Sequence, residues 1–463
     1  MTDTSEGQSR VASFFEFERH GTDIRTEFIA GLTTFLTMSY IIVVNPAILS
    51  AAISIEGYSD GEVFQMLAIT TILAAAVGSA VMALYANRPF GLAPGMGLNA
   101  YFAFTVVIGL GIPWQTALAA VFVEGVIFMA MSSVGARRYI IEFFPEPVKF
   151  AVGAGIGLFL LLLGLIEINV AVADEETLVS LGNVATDPVA LLALAGLAFT
   201  IVLYAKDVTG SIITGIITTA AAGWALTLSG VVAEGTLTPD GLPPVTYDIT
   251  PLVGAFASGL RDVEPITFAI VVLTFFFVDF FDTAGTLIGV SQFGDFLDED
   301  GNLPEMEKPL MADAVATTFG AIVGTTTVTT YVESSTGVEE GGRTGLTALV
   351  VALLFVASLA VVPIVAAIPT YASYLGLILV GLIMLQGVTD IQWEQSDWLI
   401  PGGLTIVIMP LTASIANGIA AGIISYPIVK AAQGEYESVH VAQWVLALSF
   451  ILYFYVTSGG VVG

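Results

Sequence analysis

The sequence predicts an all-α polytopic membrane protein of about 14 transmembrane segments, arranged as seven-plus-seven inverted repeats. Three observations carry that expectation. Of 463 residues, 56% are hydrophobic and 11% charged, less than half of the roughly 25% charge usual in soluble domains. Apolar stretches recur from residue 28 onward, and fourteen of them at ~20 residues each still leave room for loops. The few basic residues gather on alternate loops. This composition excludes a soluble enzyme, a nucleic-acid binder and a disordered scaffold.

Taken in order, the first 24 residues are polar, so no cleaved signal sequence is expected and residues 1–27 read as a cytoplasmic segment. The spacing predicts spans 1 to 7 at 28–50, 63–85, 91–110, 114–134, 150–168, 188–205 and 210–230. A polar loop at 231–265 follows, with Pro239, Pro243, Pro244 and Pro251, and is expected outside the cell. Spans 8 to 14 are predicted at 266–290, 311–324, 327–341, 345–366, 370–388, 398–412 and 414–431. The remaining stretch, 441–459, is either a further crossing or an interfacial helix, and parity favours the interfacial helix. With the N-terminus inside, eleven of the twelve basic residues fall on cytoplasmic loops, among them Arg88, Arg137, Arg138 and Lys149, and only Arg261 lies outside.

Forty acidic residues against twelve basic ones give a net charge of −28. Concentrated salt screens such a surface within a few Å, so a halophilic source is expected. The chain has no cysteine, which excludes disulfides, thiolate metal sites and cysteine nucleophiles. His20 and His440 lie outside the spans, so no metal site and no cofactor is expected.

The two halves share an order of short matches. Thr116-Ala-Leu-Ala-Ala-Val121 opens span 4, and Thr347-Ala-Leu-Val-Val-Ala352 opens span 11. Val77-Gly-Ser79 and Val323-Gly-Thr325 close spans 2 and 9, while Gly155-Ile-Gly-Leu and Gly376-Leu-Ile-Leu sit in spans 5 and 12. Seven spans per half force the second half to run inverted, a transporter signature with substrate bound near the midplane.

Spans 3 and 10 are poor helices in matching slots. Gly91-Leu-Ala-Pro-Gly-Met-Gly-Leu-Asn99 holds three glycines and a proline. Thr325-Thr-Thr-Val-Thr-Thr-Tyr331 is a β-branched run suited to a strand. Both are expected to be short extended segments feeding half-helices. Extended backbone inside a membrane must be covered by protein or line a cavity.

Ionisable residues within spans are costly, so each is a candidate. Asp279 and Asp282 lie three apart on one face of span 8, Glu333 follows the extended run of span 10, and Glu124 sits in span 4. Asp313, at the start of span 9, reads as a structural cap near the membrane edge. With no basic partner in any span, at least one carboxyl is expected to hold a proton or attract sodium. Phenylalanines around Asp279, with Tyr101, Phe102 and Phe104, offer faces for a flat ring.

Pro94-Gly-Met-Gly-Leu-Asn-Ala-Tyr-Phe102, Asp279-Phe-Phe-Asp-Thr-Ala-Gly-Thr286 and Thr329-Thr-Tyr-Val-Glu-Ser-Ser-Thr-Gly337 resemble the signatures of the AzgA-like adenine/guanine/hypoxanthine permeases. That group belongs to the nucleobase–cation symporter (nucleobase–ascorbate transporter) superfamily. Ala30 to Tyr40, continuing to Asn45-Pro46, matches as well. The resemblance implies a core domain from 28–134 and 266–366, a gate domain from 135–230 and 367–432, and a C-terminal apolar segment at 433–463. It implies elevator-like transport of a purine base with a coupling ion, H+ or alternatively Na+, and a homodimer joined through the gate. By motif, Asp279, Glu333, Ser334, Asn99 and Phe102 would contact the base, with Asp282, Thr283 and Tyr331 supporting or coupling; Glu124, outside these motifs, is a further supporting or coupling candidate by its place in span 4. Other readings are a same-fold permease for uracil, xanthine or a small anion, an intramembrane aspartyl enzyme, or a passive channel.

Overall fold

The computed structural model describes residues 5–134, 144–174, 177–239, 244–261, 263–298 and 303–458. Arg137 and Arg138, counted above with the inside loops, and Pro243 lie outside the described residues. Among the described residues, nine helices are long and apolar enough to cross a membrane, and further apolar helices are shorter.

Two short helices, α1 (Ser5–Phe14) and α2 (Phe17–His20), precede the bundle. Span 1 is α3 (Ile24–Met38) and α4 (Ile41–Ser50), broken at Ser39 and Tyr40. Asp23 starts α3 by accepting from the N–H groups of Arg25 and Thr26 at 2.8 and 3.0 Å. The Thr26 bond, with that of Arg25, holds the Asp23 carboxyl below its ordinary range. Span 2 is α5 (Asp60–Val81), opened by a reciprocal capping box of Ser59 and Glu62. Span 3 is the strand β1 (Leu92–Pro94), α6 (Met96–Ala100) and a widened π turn over Tyr101–Gly109. Spans 4 to 7 are α7 (Trp114–Ser133), α8 (Glu146–Glu167), α9 (Pro188–Tyr204) and α10 (Ser211–Leu228). Between α8 and α9 stands an unanticipated hairpin, β2 (Ala171–Asp174) against β3 (Leu178–Leu181). Its sequence is too short and too little alternating to announce strands.

After α11 (Phe256–Gly259), the second half repeats the plan. Spans 8 and 9 are α12 (Pro265–Phe293) and α13 (Glu307–Val323). Span 10 is β4 (Val328–Thr330) and α14 (Ser334–Glu339). Span 11 is α15 (Gly345–Ser358), continued after a tight turn by α16 (Val362–Val365). Spans 12 to 14 are α17 (Thr370–Met384), α18 (Ser396–Leu411) and α19 (Ile415–Ala432). The stretch 441–459 contains α20 (Val441–Ser458), which packs on α19. Helices α8 and α13 begin four residues before the hydropathy pattern does. A first helical turn tolerates Pro147 and the acidic Glu146 and Glu307, which apolar windows reject.

Helix packing repeats under exchange of each span with the one seven places on. Span 4 (α7) packs on spans 8 and 9 (α12, α13), and span 11 (α15) packs on spans 1 and 2 (α3, α5). Likewise α9 packs on α10 as α18 does on α19, and α10 on α17 as α19 does on α8. The exchange brings Gly157 of α8 against Gly381 of α17. A Cβ at Gly157 would meet the Gly381 carbonyl at 2.7 Å, and one at Gly381 would meet the Gly157 carbonyl at 2.6 Å. Only hydrogen at both positions lets the two backbones touch.

Candidate functional site

The site is built around the crossing of the two broken spans. β1 and β4 pair antiparallel, Leu92 opposite Thr330, Ala93 opposite Thr329 and Pro94 opposite Val328. The ladder continues at both ends, with the Tyr331 N–H on the Gly91 carbonyl and the Gly95 N–H on the Thr327 carbonyl, each 3.0 Å. All six strand residues are buried. Two strands leave outward backbone groups that would each cost several kcal/mol unpaired in a dry interior.

Side chains of neighbouring spans satisfy those edges, in mirror fashion. Ser79 Oγ of α5 accepts from the Leu92 N–H at 2.9 Å and donates to the Leu92 carbonyl at 3.2 Å. Thr317 Oγ1 of α13 does the same for Val328, at 3.1 and 2.9 Å. Asp313 Oδ1 accepts from the Thr330 N–H at 3.1 Å, and the Tyr331 hydroxyl donates to the Pro94 carbonyl at 2.6 Å. Thr283 Oγ1 donates to Asp313 Oδ1 at 2.9 Å and sits 2.8 Å from Thr329 Oγ1. Its only proton is committed to Asp313, so Thr329 donates to Thr283. Asp313 therefore has a structural job, as its position suggested, but it is fully buried rather than at an edge.

The carboxylates divide by access. Glu333 borders a cavity of about 600 Å³ between α3, α14, α17 and the start of α10, lined also by Thr33, Thr37 and Thr336. The Tyr40 hydroxyl, at the break in span 1, donates to Glu333 Oε1 at 2.5 Å. Sequence reasoning placed Tyr40 within a matching motif but gave it no role; a break signal at Ser39-Tyr40 would have singled it out. Ser334 follows Glu333 and accepts from the Gly91 N–H at 3.0 Å, which ties the two broken spans together. Asp282, half-buried, is an electrostatic neighbour of Glu333. Asn99 is fully buried, and its Oδ1 accepts from Thr326 Oγ1.

Asp279 lies deeper. It is fully buried and does not border the cavity; it neighbours Glu124 of α7, which is also fully buried. None of the four oxygens of this pair has a hydrogen-bond partner. Two ionised carboxylates at ~4 Å repel by on the order of 4 kcal/mol even at an effective dielectric of ~20. The aromatic rings around Asp279 are turned to one another rather than to the cavity. Phe128 meets Phe276 and Phe280 edge-on, both at 5.8 Å, and Phe144 meets Phe277 and Phe281 at 4.6 and 4.9 Å. Tyr101 packs edge-on against Phe275 at 4.8 Å, and Phe102 is fully buried. Among the described residues, no acidic or histidine cluster has the geometry to hold a metal ion.

Residues 25–421 match the Permease family of xanthine and uracil permeases (Xan_ur_permease). A permease of Methanocaldococcus jannaschii is 44% identical, the match covering 97% of this chain and 99% of that one. The guanine/hypoxanthine permease PbuO of Bacillus subtilis is 41% identical, over 96% of this chain and all of its own length. The adenine permease AdeP of Escherichia coli is 38% identical, over 97% of each chain. Among solved structures, the membrane domain of the cyanobacterial bicarbonate transporter BicA superposes with a TM-score of 0.61 at 14% identity. That match covers 86% of this chain and 97% of BicA's, and at this identity the likeness concerns the fold alone.

Proposed function

The chain belongs to this Permease family, and on that premise we propose that it imports purine nucleobases (adenine, guanine, hypoxanthine) by symport with a proton. As a multi-pass membrane permease it is a transporter rather than an enzyme. The observation that carries the purine reading is Glu333, a carboxylate held by Tyr40 at the wall of the cavity beside the strand crossing. A purine presents ring N–H donors, joined in guanine by the adjacent exocyclic amine, which carboxylate oxygens accept. Relatives of nearly full-length match are named as guanine/hypoxanthine and adenine permeases, which supports the same substrate class. A small anion fits the cavity poorly, because its lining includes Asp207, Glu333, Glu339 and Glu340 and no Lys, Arg or His.

In this reading Glu333 meets the base first, Asn99 and Phe102 bound the ring from the third span, and Asp279 accepts a further N–H from behind the strand pair. The cavity opens on the face carrying Asp207, Glu339 and Glu340, which the distribution of basic residues assigns to the cytoplasm. The architecture then corresponds to an inward-open state with a cytoplasmic N-terminus. The packing of spans 1–4 with 8–11, and of 5–7 with 12–14, supports a core that carries the base past a gate in an elevator step, with two gates meeting in a homodimer. The acidic surface suits a halophilic host. Exchange of radiolabelled hypoxanthine in high-salt proteoliposomes tests the substrate. Competition by unlabelled adenine or guanine but not by uracil is expected, and equal competition by uracil would overturn the purine assignment.

A further inference from the structure

Among the described residues, the pair formed by Glu124 and Asp279 is unlike the other fully buried carboxylates. Asp313 has its strand and Thr283, Glu333 has Tyr40, and Glu27 accepts from four donors. Glu124 and Asp279 have no hydrogen-bond partner at any oxygen, at full burial, from two different helices. Their environment holds them together. Phe128, one turn beyond Glu124, packs against Phe276 and Phe280, which flank Asp279. A Cβ on Gly125 would meet Thr318 of α13 at 2.6 Å, so α7 is wedged against both partners.

The charged and titratable groups around the pair are Asp282 on α12, Asp313 on α13, and Tyr101 on the helix that packs on α7. From α14 and β4, Glu333 and Tyr331 face Asp282. Lys149 of α8, a cation among the described residues, lies 5.8 Å from the Phe281 ring of α12. Phe281 lies two residues from Asp279 and hence on the opposite face of the helix. Among the described groups that face the pair, none is basic.

Building on the purine reading, we propose that Glu124 and Asp279 are the site of the coupling proton, carried by Glu124 whenever Asp279 accepts an N–H of the bound base. An N–H donor bonds about twice as strongly to an ionised acceptor at Asp279 as to the neutral acid. Beside that charge, Glu124 is tolerated only as the neutral acid, whose O–H is then free to donate to Asp279. A base therefore loads onto a pair that holds one proton. Where alkaline solvent has stripped that proton from the empty site, loading takes one from solvent and release of the base returns it. No covalent bond other than the carboxyl O–H forms or breaks. Base and proton are coupled because each removes the obstacle to the other.

The test measures hypoxanthine binding and proton uptake together, with purified full-length protein in weakly buffered detergent and a pH-indicator dye. The wild type is expected to take up one proton per base bound at alkaline pH, where the empty pair is fully ionised, with uptake falling away as the pH drops and the empty pair holds its own proton. Glu124→Gln, whose amide donates to Asp279 without titrating, is expected to bind with no proton uptake and with an affinity that no longer varies with pH. Infrared difference spectra of the wild type, labelled with carbon-13 in glutamate or in aspartate, locate the proton without any variant. The carboxylic-acid band that grows on binding is expected to shift with labelled glutamate. Proton uptake persisting in Glu124→Gln, or a band that shifts only with labelled aspartate, would overturn the proposal. Binding without proton uptake by the wild type at every pH, alkaline included, would overturn it and leave the purine reading standing. No hypoxanthine binding by the wild type would overturn both.

Discussion

Glu27 and Glu124 are the same side chain, both fully buried in the membrane bundle, and they have opposite surroundings. Glu27 sits in the first turn of α3 and reaches the start of α15. Its Oε1 accepts from the Arg343 N–H at 2.9 Å. Its Oε2 accepts from the N–H groups of Thr344 and Thr347 at 3.3 and 3.1 Å and from the Thr347 hydroxyl at 2.6 Å. They lie at the beginning of a helix, where the N–H groups of Arg343 and Thr344 have no backbone acceptor and a negative charge is favoured by the helix dipole as well. Glu124 has no donor at all. A buried carboxylate with every oxygen satisfied is a structural fastener between spans 1 and 11. One with none is a group whose partner arrives and leaves, and that is the physical meaning of a working residue in a dry interior.

The contrast can be broken most forcefully at Glu27. Glu27→Ala orphans the N–H groups of Arg343 and Thr344 and strips the Thr347 hydroxyl of its closer acceptor, and a loss of about 3 kcal/mol is expected. It should appear as a clear fall in the unfolding temperature in detergent, with Glu27→Gln falling less. Glu124→Gln should leave that temperature unchanged or raise it, because it removes one of two facing carboxyls and no hydrogen bond to the surrounding protein. Equal destabilisation by the two variants would erase the distinction.

Next in size is Glu333→Gln. Losing a charge-assisted contact to the base should weaken hypoxanthine exchange by roughly 10- to 100-fold while the protein still reaches the membrane. Near-normal exchange kinetics would remove Glu333 from the site.

Smaller again is Thr317→Val, which strips both bonds from the Val328 backbone. A cost of about 1–3 kcal/mol is expected, with Ser79→Ala matching it at Leu92. A large difference between these two in thermal unfolding would contradict the mirror roles assigned to them. The smallest effect is expected for Tyr40→Phe. Freeing Glu333 from one neutral donor, a bond worth about 1 kcal/mol, should change hypoxanthine affinity by less than about 10-fold. A total loss of binding would make Tyr40 a direct ligand of the base.

Much of this architecture was legible because the membrane imposes simple rules. Apolar length gave the spans, and the glycines and proline of 91–99 and the threonines of 325–330 marked the two places where a helix fails. The paired position of those failures pointed to the crossing strands. What stayed hidden depends on registration in three dimensions. No pattern tells that Ser79 and Thr317 serve the strand edges, since both look like ordinary small polar residues in apolar helices. Asp313 looked peripheral because hydropathy windows start late at a charged first turn, whereas the helix begins at Glu307 and carries Asp313 inward. Asp279 and Glu333 read alike in sequence as deep carboxylates. Only the fold separates one that borders the cavity from one that faces Glu124.

The most direct test of the account is hypoxanthine uptake by high-salt proteoliposomes with and without an inward proton gradient. Accumulation above the external concentration when the gradient is imposed, and only equilibration when it is collapsed, is the predicted result. Equilibration alone under every proton gradient, by protein that demonstrably binds hypoxanthine, would contradict proton-coupled purine import.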